Sequence, residues 1–186
     1  VGTREPDAEG RRIAKALAKG LAERGFAIVS GLARGIDTAA HRGALEARDG
    51  RTWAILGCGL LRIYPPENAV LASQIARRGS LLSEVPPDTE VERRLLLARD
   101  RLQAALSLAV IVVQAHAECG SIVTARHARR CGRQLYAVPW EKSPVREGWE
   151  RLRQLGAERL EPEADLDELA ERLREGGGKS DQRALC

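Results

Sequence analysis

Short apolar runs alternate with longer amphipathic segments along most of the chain. The runs that predict β-strands are Phe26–Val29, Thr52–Leu56, Leu81–Leu82, Leu108–Val113 and Leu135–Val138. Each run is bounded by glycine or polar residues, and Leu108–Val113 is apolar at every position. A continuous apolar strand is typical of a parallel sheet that helices cover on both faces.

The segments between these runs have the apolar spacing of helices. In the segment Pro6–Arg24, Ile13, Leu17 and Leu21 form one apolar stripe, and Gly25 marks its end. Further helices are predicted over Ile36–Arg48, Glu67–Arg78, Val91–Ser107, Ser121–Cys131 and Leu166–Leu173. This alternation of strands and helices predicts an α/β fold with a doubly wound, mainly parallel sheet and helices on both faces.

The length of 186 residues suits one globular domain. We assign residues 1–161 to this domain and expect its first strand to be truncated, because Val1 stands where a strand would end. Residues 162–175 form an acidic C-terminal helix of the same domain in this interpretation. The glycine-rich segment 176–186 is predicted to be a flexible tail.

The charge is unevenly distributed. The chain has 30 Lys+Arg and 26 Asp+Glu, a formal net charge of +4. Residues 157–186 hold 5 basic and 9 acidic side chains (−4), so residues 1–156 carry 25 basic and 17 acidic ones (+8). A basic body indicates an anionic partner such as a nucleic acid or a nucleotide. An arginine content set by coding composition alone remains an alternative explanation.

Other sequence features narrow the cellular setting. No run of 18 apolar residues and no signal peptide is found, so we expect a cytoplasmic protein without a membrane partner. The cysteines show no Cys-x-x-Cys spacing, which favours reduced thiols over disulfides or zinc. We expect no metal site.

Glycine and small residues cluster where predicted strands end and helices begin. These junctions are Gly2–Arg4, Ser30–Gly35, Gly57–Gly59 and Gly120–Ser121. Ligands of open α/β sheets bind at this edge, glycine allows close approach to the backbone, and helix N-termini offer N–H groups to anions. With Arg4 and Arg34 among these residues, the sequence predicts a phosphate-binding crevice. The Walker pattern and the third glycine of the dinucleotide fingerprint are missing, which disfavours ATP hydrolysis and nicotinamide chemistry.

The motifs at these junctions, taken in chain order, resemble those of the DprA/Smf family of DNA-processing proteins. The matching segments are Gly2–Arg4, Ser30–Asp37 with Ala40–Leu45, Leu56–Leu60, Tyr64–Asn68, Ser83–Pro86, Arg99–Arg101 with Leu106–Ser107, Gly120–Ala125, and Gly132–Arg133 with Ala137–Pro139. The resemblance extends over most of the chain. It implies an extended Rossmann-like domain.

The resemblance also implies a function. Members of this family bind and protect single-stranded DNA and deliver it to the RecA recombinase in natural transformation, which requires no bond-breaking chemistry. We therefore expect a protein that is not an enzyme, has no cofactor, and has single-stranded DNA and a RecA-type recombinase as partners. A homodimer is left open by the sequence.

The family's basic DNA pocket falls on residues of the same junctions. We expect backbone N–H groups at Gly31–Gly35 and Gly120–Ser121 to donate to phosphates. The candidate DNA- and phosphate-binding residues are Gly2, Thr3, Arg4, Gly31, Arg34, Gly35, His41, Gly57, Gly59, Arg62, Asn68, Arg99, Arg101, Gly120, Ser121 and Thr124. For His41, a structural role and a ligand contact both remain open, and Asp37 is expected to stabilise the first turn of its helix.

The sequence departs from the family pattern in ways that indicate a divergent member. The stretch Arg93–Ala98 lacks the family's Phe-Pro pair, and a lost stacking ring forfeits ~1–3 kcal/mol per base. Asp100 stands where the family has asparagine. Two alternatives use the same crevice: a phosphoribohydrolase acting on nucleoside monophosphates, whose catalytic glutamate is missing here, and a nucleotide-binding sensor.

Overall fold

The computed structural model describes residues 1–141 and 145–177, in which helices and strands alternate. The elements are α1 (Ala8–Glu23), β1 (Ile28–Ser30), α2 (Ile36–Glu46), β2 (Thr52–Leu56), a 3₁₀ turn (Pro66–Asn68), α3 (Ala69–Arg78), β3 (Ser80–Ser83), α4 (Arg93–Ala105), β4 (Ala109–Val112), α5 (Gly120–Arg130), β5 (Gln134–Ala137), α6 (Arg146–Gln154), β6 (Glu158–Arg159) and α7 (Leu166–Gly177). The bounds of α6 and the strand β6 were not predicted, because both are rich in charged residues.

The strands form two three-stranded parallel sheets, in the orders β1-β2-β3 and β4-β5-β6. The predicted α/β architecture with parallel strands and flanking helices is therefore confirmed. Val1–Thr3 continues the second sheet beyond β4, since Val113 N–H donates to Val1 O (3.1 Å) and Thr3 N–H donates to Gln114 O (2.7 Å). A mainly apolar cavity of about 450 Å³, lined by residues of both β1 and β4, lies between the two sheets.

Helix α1 shows how the sequence specifies its own packing. Asp7 caps the helix by accepting the Gly10 N–H (2.7 Å), and the predicted stripe of Ile13, Leu17 and Leu21 is buried. The stripe packs into an aliphatic core with Val113 from the end of β4. Apolar burial of this kind contributes roughly 25 cal/mol per Å² to folding.

The acidic C-terminal helix packs against α1. Leu169 and Leu173 of α7 are buried in the same core, and Arg24 forms a paired hydrogen bond to the Asp167 carboxylate (2.7 and 2.9 Å). Part of the acidic end is thus bonded to the basic body. The remainder of the predicted tail, from residue 178 onward, lies outside the described residues.

The parallel arrangement brings the predicted junctions to one edge. The segments after Thr3, Ser30, Leu56 and Val112 all follow the carboxyl ends of parallel strands or of the Val1–Thr3 extension. Across the described ranges, no helix has the length and apolar character needed to cross a membrane.

Candidate functional site

Three arginine side chains meet in a narrow crevice at this edge. Arg4 follows Val1–Thr3, Arg34 belongs to the turn after β1, and Arg99 comes from α4. Tyr64 and Pro65 complete much of the remaining wall, and the open volume is only about 10 Å³. That is about the space of a single water molecule, so the crevice is a basic notch in the surface rather than an enclosing pocket.

Arg99 forms the floor of the notch. Its side chain is 7% exposed, and Nη1 donates to the carbonyls of Gly31 (2.7 Å) and Ile55. Nε donates to Asp100 Oδ1 (3.0 Å). Within the described residues, Nη2 has no hydrogen-bond partner. The sequence places Arg99 in the binding site, and the structure shows that only this one nitrogen is left for a ligand.

The N–H groups of the turn after β1 are bonded within the protein. Asp37 Oδ2 accepts from Gly31 N–H (3.0 Å) and Ala33 N–H (3.4 Å), and His41 Nε2 accepts from Leu32 N–H (3.3 Å). Three of the N–H groups at Gly31–Gly35 that the sequence predicts as phosphate donors are therefore already bonded to Asp37 and His41. Asp37 binds this turn in addition to lying in the first turn of α2.

The carbonyl groups of the same turn are held from the other side. Asn68 Nδ2 donates to Leu32 O (2.9 Å), and Thr38 Oγ1 donates to Ala33 O (2.7 Å). These bonds hold Leu32 in a left-handed conformation, φ +59°, with its side chain fully buried. A buried leucine in this conformation is costly, so the surrounding bonds must fix the turn.

His41 belongs to this scaffold and does not line the crevice. It is fully buried, and its Nδ1 lies 2.6 Å from Thr52 Oγ1, which itself donates to Ile28 O (2.7 Å). Thr52 must therefore accept from Nδ1–H, which leaves Nε2 as the acceptor for Leu32. Burial lowers the pKa of His41 to about 4, so the ring is neutral near pH 7. A direct ligand contact, one of the two roles left open, is excluded in this arrangement because the ring is enclosed.

Most of the candidate glycines face other parts of the chain rather than open space. A Cβ on Gly31 would overlap the Arg99 guanidinium, and one on Gly35 would lie 2.5 Å from Thr3 O. The space beside the glycines of the other junctions is also filled. Ile36 and Gln114 lie against Gly2, Leu96 lies against Gly57, and Pro87 lies against Gly59. Other atoms do come close to the backbone at these glycines, as predicted, but they belong to the protein itself rather than to a ligand.

Carboxylates neutralise several of the predicted arginines. Exposed ion pairs join Arg34 to Glu67, Arg62 to Glu90 (3.2 Å) and Arg101 to Glu84 (2.6 Å). The bond from Arg34 lowers the pKa of Glu67 and raises that of Arg34. Arg62 and Arg101 are not among the residues that line the notch.

Arg4 differs from these arginines. Its side chain is exposed at the notch, and it forms no ion pair with any residue the structure describes. Arg4 is thus the cation most readily available to an incoming anion. Neighbouring Thr3 is buried, and its hydroxyl accepts from Glu5 N–H (3.2 Å), so it shapes the turn that carries Arg4.

The junction after β4 is more open. Gly120 is exposed and begins α5, while Ser121 and Thr124 are buried. The Ser121 hydroxyl lies 2.7 Å from Cys119 Sγ, and Thr124 Oγ1 donates to Gly120 O (3.4 Å). The side chains of Ser121 and Thr124 are therefore occupied locally. The N–H groups of Gly120 and Ser121 donate to no described residue, which leaves them as the predicted anion donors of this junction.

Asp100 lies beside this open helix end. Its Oδ1 accepts from Arg99 Nε and from Gln103 Nε2 (2.9 Å), and a Cβ on Gly120 would lie 3.7 Å from its Oδ2. Burial raises the pKa of Asp100 to about 6 despite the neighbouring Arg99. The sequence marks Asp100 only as an unusual residue, and its position beside Gly120 depends on α4 and α5 packing together.

We find no group of three His, Cys, Asp or Glu side chains arranged to hold a metal ion among the described residues. The indole N–H of Trp140 donates to Val113 O (2.5 Å), directly after β4.

Known proteins are similar to this chain in sequence. The family model for DNA recombination-mediator protein A matches residues 1–173. DNA processing protein DprA of Bacillus subtilis is 40% identical over 174 residues, which cover 92% of this chain and 58% of that protein. The chain spans 35%, 58% and 46% of the length of the first three curated relatives that it matches.

Solved structures extend this similarity to the fold. DNA processing protein A from Helicobacter pylori, a protein with a single-stranded DNA binding mode, superposes with a TM-score of 0.83 at 32% identity, covering 94% of this chain and 78% of that one. DprA from Streptococcus pneumoniae gives a TM-score of 0.80 at 36% identity, covering 92% and 59%. The match over residues 1–173, these identities and the shared fold establish that the chain belongs to the DNA recombination-mediator protein A family, also named DprA/Smf.

Proposed function

We propose that this chain binds single-stranded DNA across the notch formed by Arg4, Arg34 and Arg99, protects it, and delivers it to a RecA-type recombinase. The observation that carries the proposal is the meeting of three arginines from separate segments at one sheet edge. Its support from known proteins is the Helicobacter pylori relative, which binds single-stranded DNA. Protection and delivery rest on family membership.

The shape of the notch favours a strand laid over it. An open volume of about 10 Å³ does not enclose a nucleotide, whereas an extended backbone needs only a line of cations at the surface. This argues against the nucleotide sensor and the phosphoribohydrolase, both of which must surround a mononucleotide.

Tyr64 supplies an aromatic ring at the notch. The ring is half-buried on the wall, which Arg34 also lines. In this proposal Tyr64 stacks on a base and takes over the role of the aromatic residue missing from Arg93–Ala98. Base stacking contributes ~1–3 kcal/mol per base.

The test is the salt dependence of DNA binding by Arg4→Ala. Fluorescence anisotropy with labelled oligo(dT) is measured from about 50 to about 300 mM salt, where one lost phosphate contact should reduce the slope of log K against log salt by about 0.7. We expect weaker binding at every salt concentration, because the unpaired cation of the notch is gone.

Arg77→Ala is the matched control. Arg77 is also exposed, but it lies at the end of α3 and so at the opposite edge of the sheet from the notch. It should bind with the wild-type slope. Equal slopes for Arg4→Ala and the wild type would contradict the proposal, as would displacement of oligo(dT) by an equal nucleotide concentration of thymidine monophosphate.

A further inference from the structure

The carboxylate of Asp100 stands between the two features of this edge that attract anions. On one side it accepts a hydrogen bond from Nε of Arg99 (3.0 Å), and Arg99 lines the notch. On the other side its Oδ2 lies beside Gly120, where α5 presents open N–H groups. Its side chain is 9% exposed, so this is a buried negative charge at a site proposed to receive phosphate.

The two oxygens of Asp100 are unequally occupied. Both the Arg99 bond and the Gln103 bond end on Oδ1. No described residue donates to Oδ2, which faces the first turn of α5. One oxygen therefore fixes the carboxylate in place, and the other presents negative charge to the first turn of α5.

The charged groups around Asp100 are few. Arg99 on its own helix favours the ionised carboxylate, and Asp37 from α2 opposes it. Behind them, the neutral His41 faces Arg99 and Asp37, and the α-amino group of Val1 faces Asp37. Helix α5 faces Asp100 with Gly120, which has no side chain, and with its helix dipole, which favours the anion.

We propose that Asp100 is an internal competitor of the bound DNA phosphate, so that the site binds single-stranded DNA more tightly when this carboxylate is neutral. The inference rests on the proposed function, because it concerns affinity at the same notch. Asp100 does not contact the ligand in this view. It is a positioning residue that acts through Arg99 and the first turn of α5.

Proton linkage gives the direction of the effect. A phosphate placed near Arg99 adds negative charge beside Asp100, which raises the pKa of this carboxyl further and makes binding take up a proton. Since burial already raises that pKa to about 6, the response falls near neutral pH. A further rise of about one unit on binding corresponds to about tenfold tighter binding at low pH.

The test is the pH profile of oligo(dT) binding by the wild type and Asp100→Asn. The affinity of the wild type for oligo(dT) should rise about tenfold from about pH 8.5 to about pH 5.5. Asp100→Asn should bind about tenfold more tightly than the wild type at about pH 8.5 and with equal affinity at about pH 5.5. Asparagine keeps the Oδ1 acceptor for Arg99 and Gln103, so the fold is preserved. All other titratable groups are the same in both proteins, and the readout is therefore the ratio of the two affinities at each pH.

Glu84→Gln is the matched control. It removes one negative charge from the exposed partner of Arg101, so it should change affinity by a factor that does not vary with pH. A thermal unfolding scan checks the fold of Asp100→Asn. Relative to Asp100→Asn, the wild type should gain stability as the pH falls through about 6, because folded Asp100 then binds a proton that it does not bind in the unfolded chain.

Each remaining outcome is decisive. If the wild type binds DNA and the affinity ratio to Asp100→Asn is constant with pH, the competitor role of Asp100 is overturned and the proposed function stands. If neither protein binds oligo(dT) at any pH, the proposed function is overturned together with this inference.

Discussion

The turn after β1 (residues 30–35) and the turn after β4 (residues 119–121) both contain glycine and small residues before a helix, but they differ in structure. Both follow a parallel strand, contain glycine and lead into a helix. In the turn after β1, the side chains of Asp37 and His41 accept hydrogen bonds from the N–H groups of Gly31, Leu32 and Ala33. In the second, the N–H groups of Gly120 and Ser121 are open, with Asp100 beside them.

The difference shows that glycine at a sheet edge has two separate uses. In the turn after β1, glycine lets the protein's own Arg99 pack against the backbone, and the anion-attracting groups are side chains fixed by a rigid turn. In the turn after β4, glycine leaves space for an external group. One junction is therefore a scaffold for arginines, and the other is an open helix N-terminus.

The substitution Gly31→Ala should have the largest effect, because it breaks the scaffold. The new Cβ would displace the Arg99 guanidinium and remove its hydrogen bonds to the carbonyls of Gly31 and Ile55. Each such loss costs ~1–3 kcal/mol, so we expect a destabilisation of about 4 kcal/mol. Urea unfolding followed by circular dichroism measures it.

A free-energy change below about 1 kcal/mol for Gly31→Ala would mean that Arg99 relaxes without loss, which contradicts a rigid scaffold. Gly132→Ala is unsuitable as a comparison because Gly132 has a positive φ of +65°. Gly120→Ala is the matched control.

The sequence predicts the strands, helices and junctions of this sheet edge, but it does not predict which hydrogen bonds the groups at the junctions form. Alternation of apolar runs and helices, with glycine at the junctions, suffices for the parallel α/β fold and for the place of Arg4 and Arg34. The hydrogen-bond partners of the turn after β1 could not be predicted in this way. Arg99 reaches Gly31 from 68 positions away, and Asn68 reaches Leu32 from 36 positions away. Such pairs depend on how α4 and the 3₁₀ turn dock, and no local spacing encodes that.

The pH dependence of stability in His41→Gln should show an intermediate effect. Burial lowers the pKa of His41 to about 4 in the folded protein. The His41 ring is therefore protonated near pH 6.5 in the unfolded chain but only near pH 4 in the folded protein. The wild type should therefore lose about 2 kcal/mol from this residue as the pH falls from about 6.5 to about 4.5. The variant lacks this loss.

Other groups also titrate in this range, and Asp100 acts in the opposite direction. The quantity to compare is therefore the wild-type minus variant free energy of unfolding at each pH, from urea titrations. A difference that stays constant between about pH 6.5 and about pH 4.5 would show that His41 is not held neutral, and the turn after β1 would lose its fixed acceptor.

Gly120→Ala should have the smallest effect, because the turn after β4 has room for a methyl group. The new Cβ would meet only the Asp100 Oδ2 at 3.7 Å, an ordinary contact, and the residue starts α5 without a positive φ. Alanine also favours a helical position, so the free energy of unfolding should change by less than about 0.5 kcal/mol. The same urea titration used for Gly31→Ala measures it. A loss similar to that of Gly31→Ala would show that both turns are closed scaffolds, since an open helix end tolerates a side chain that a packed one does not.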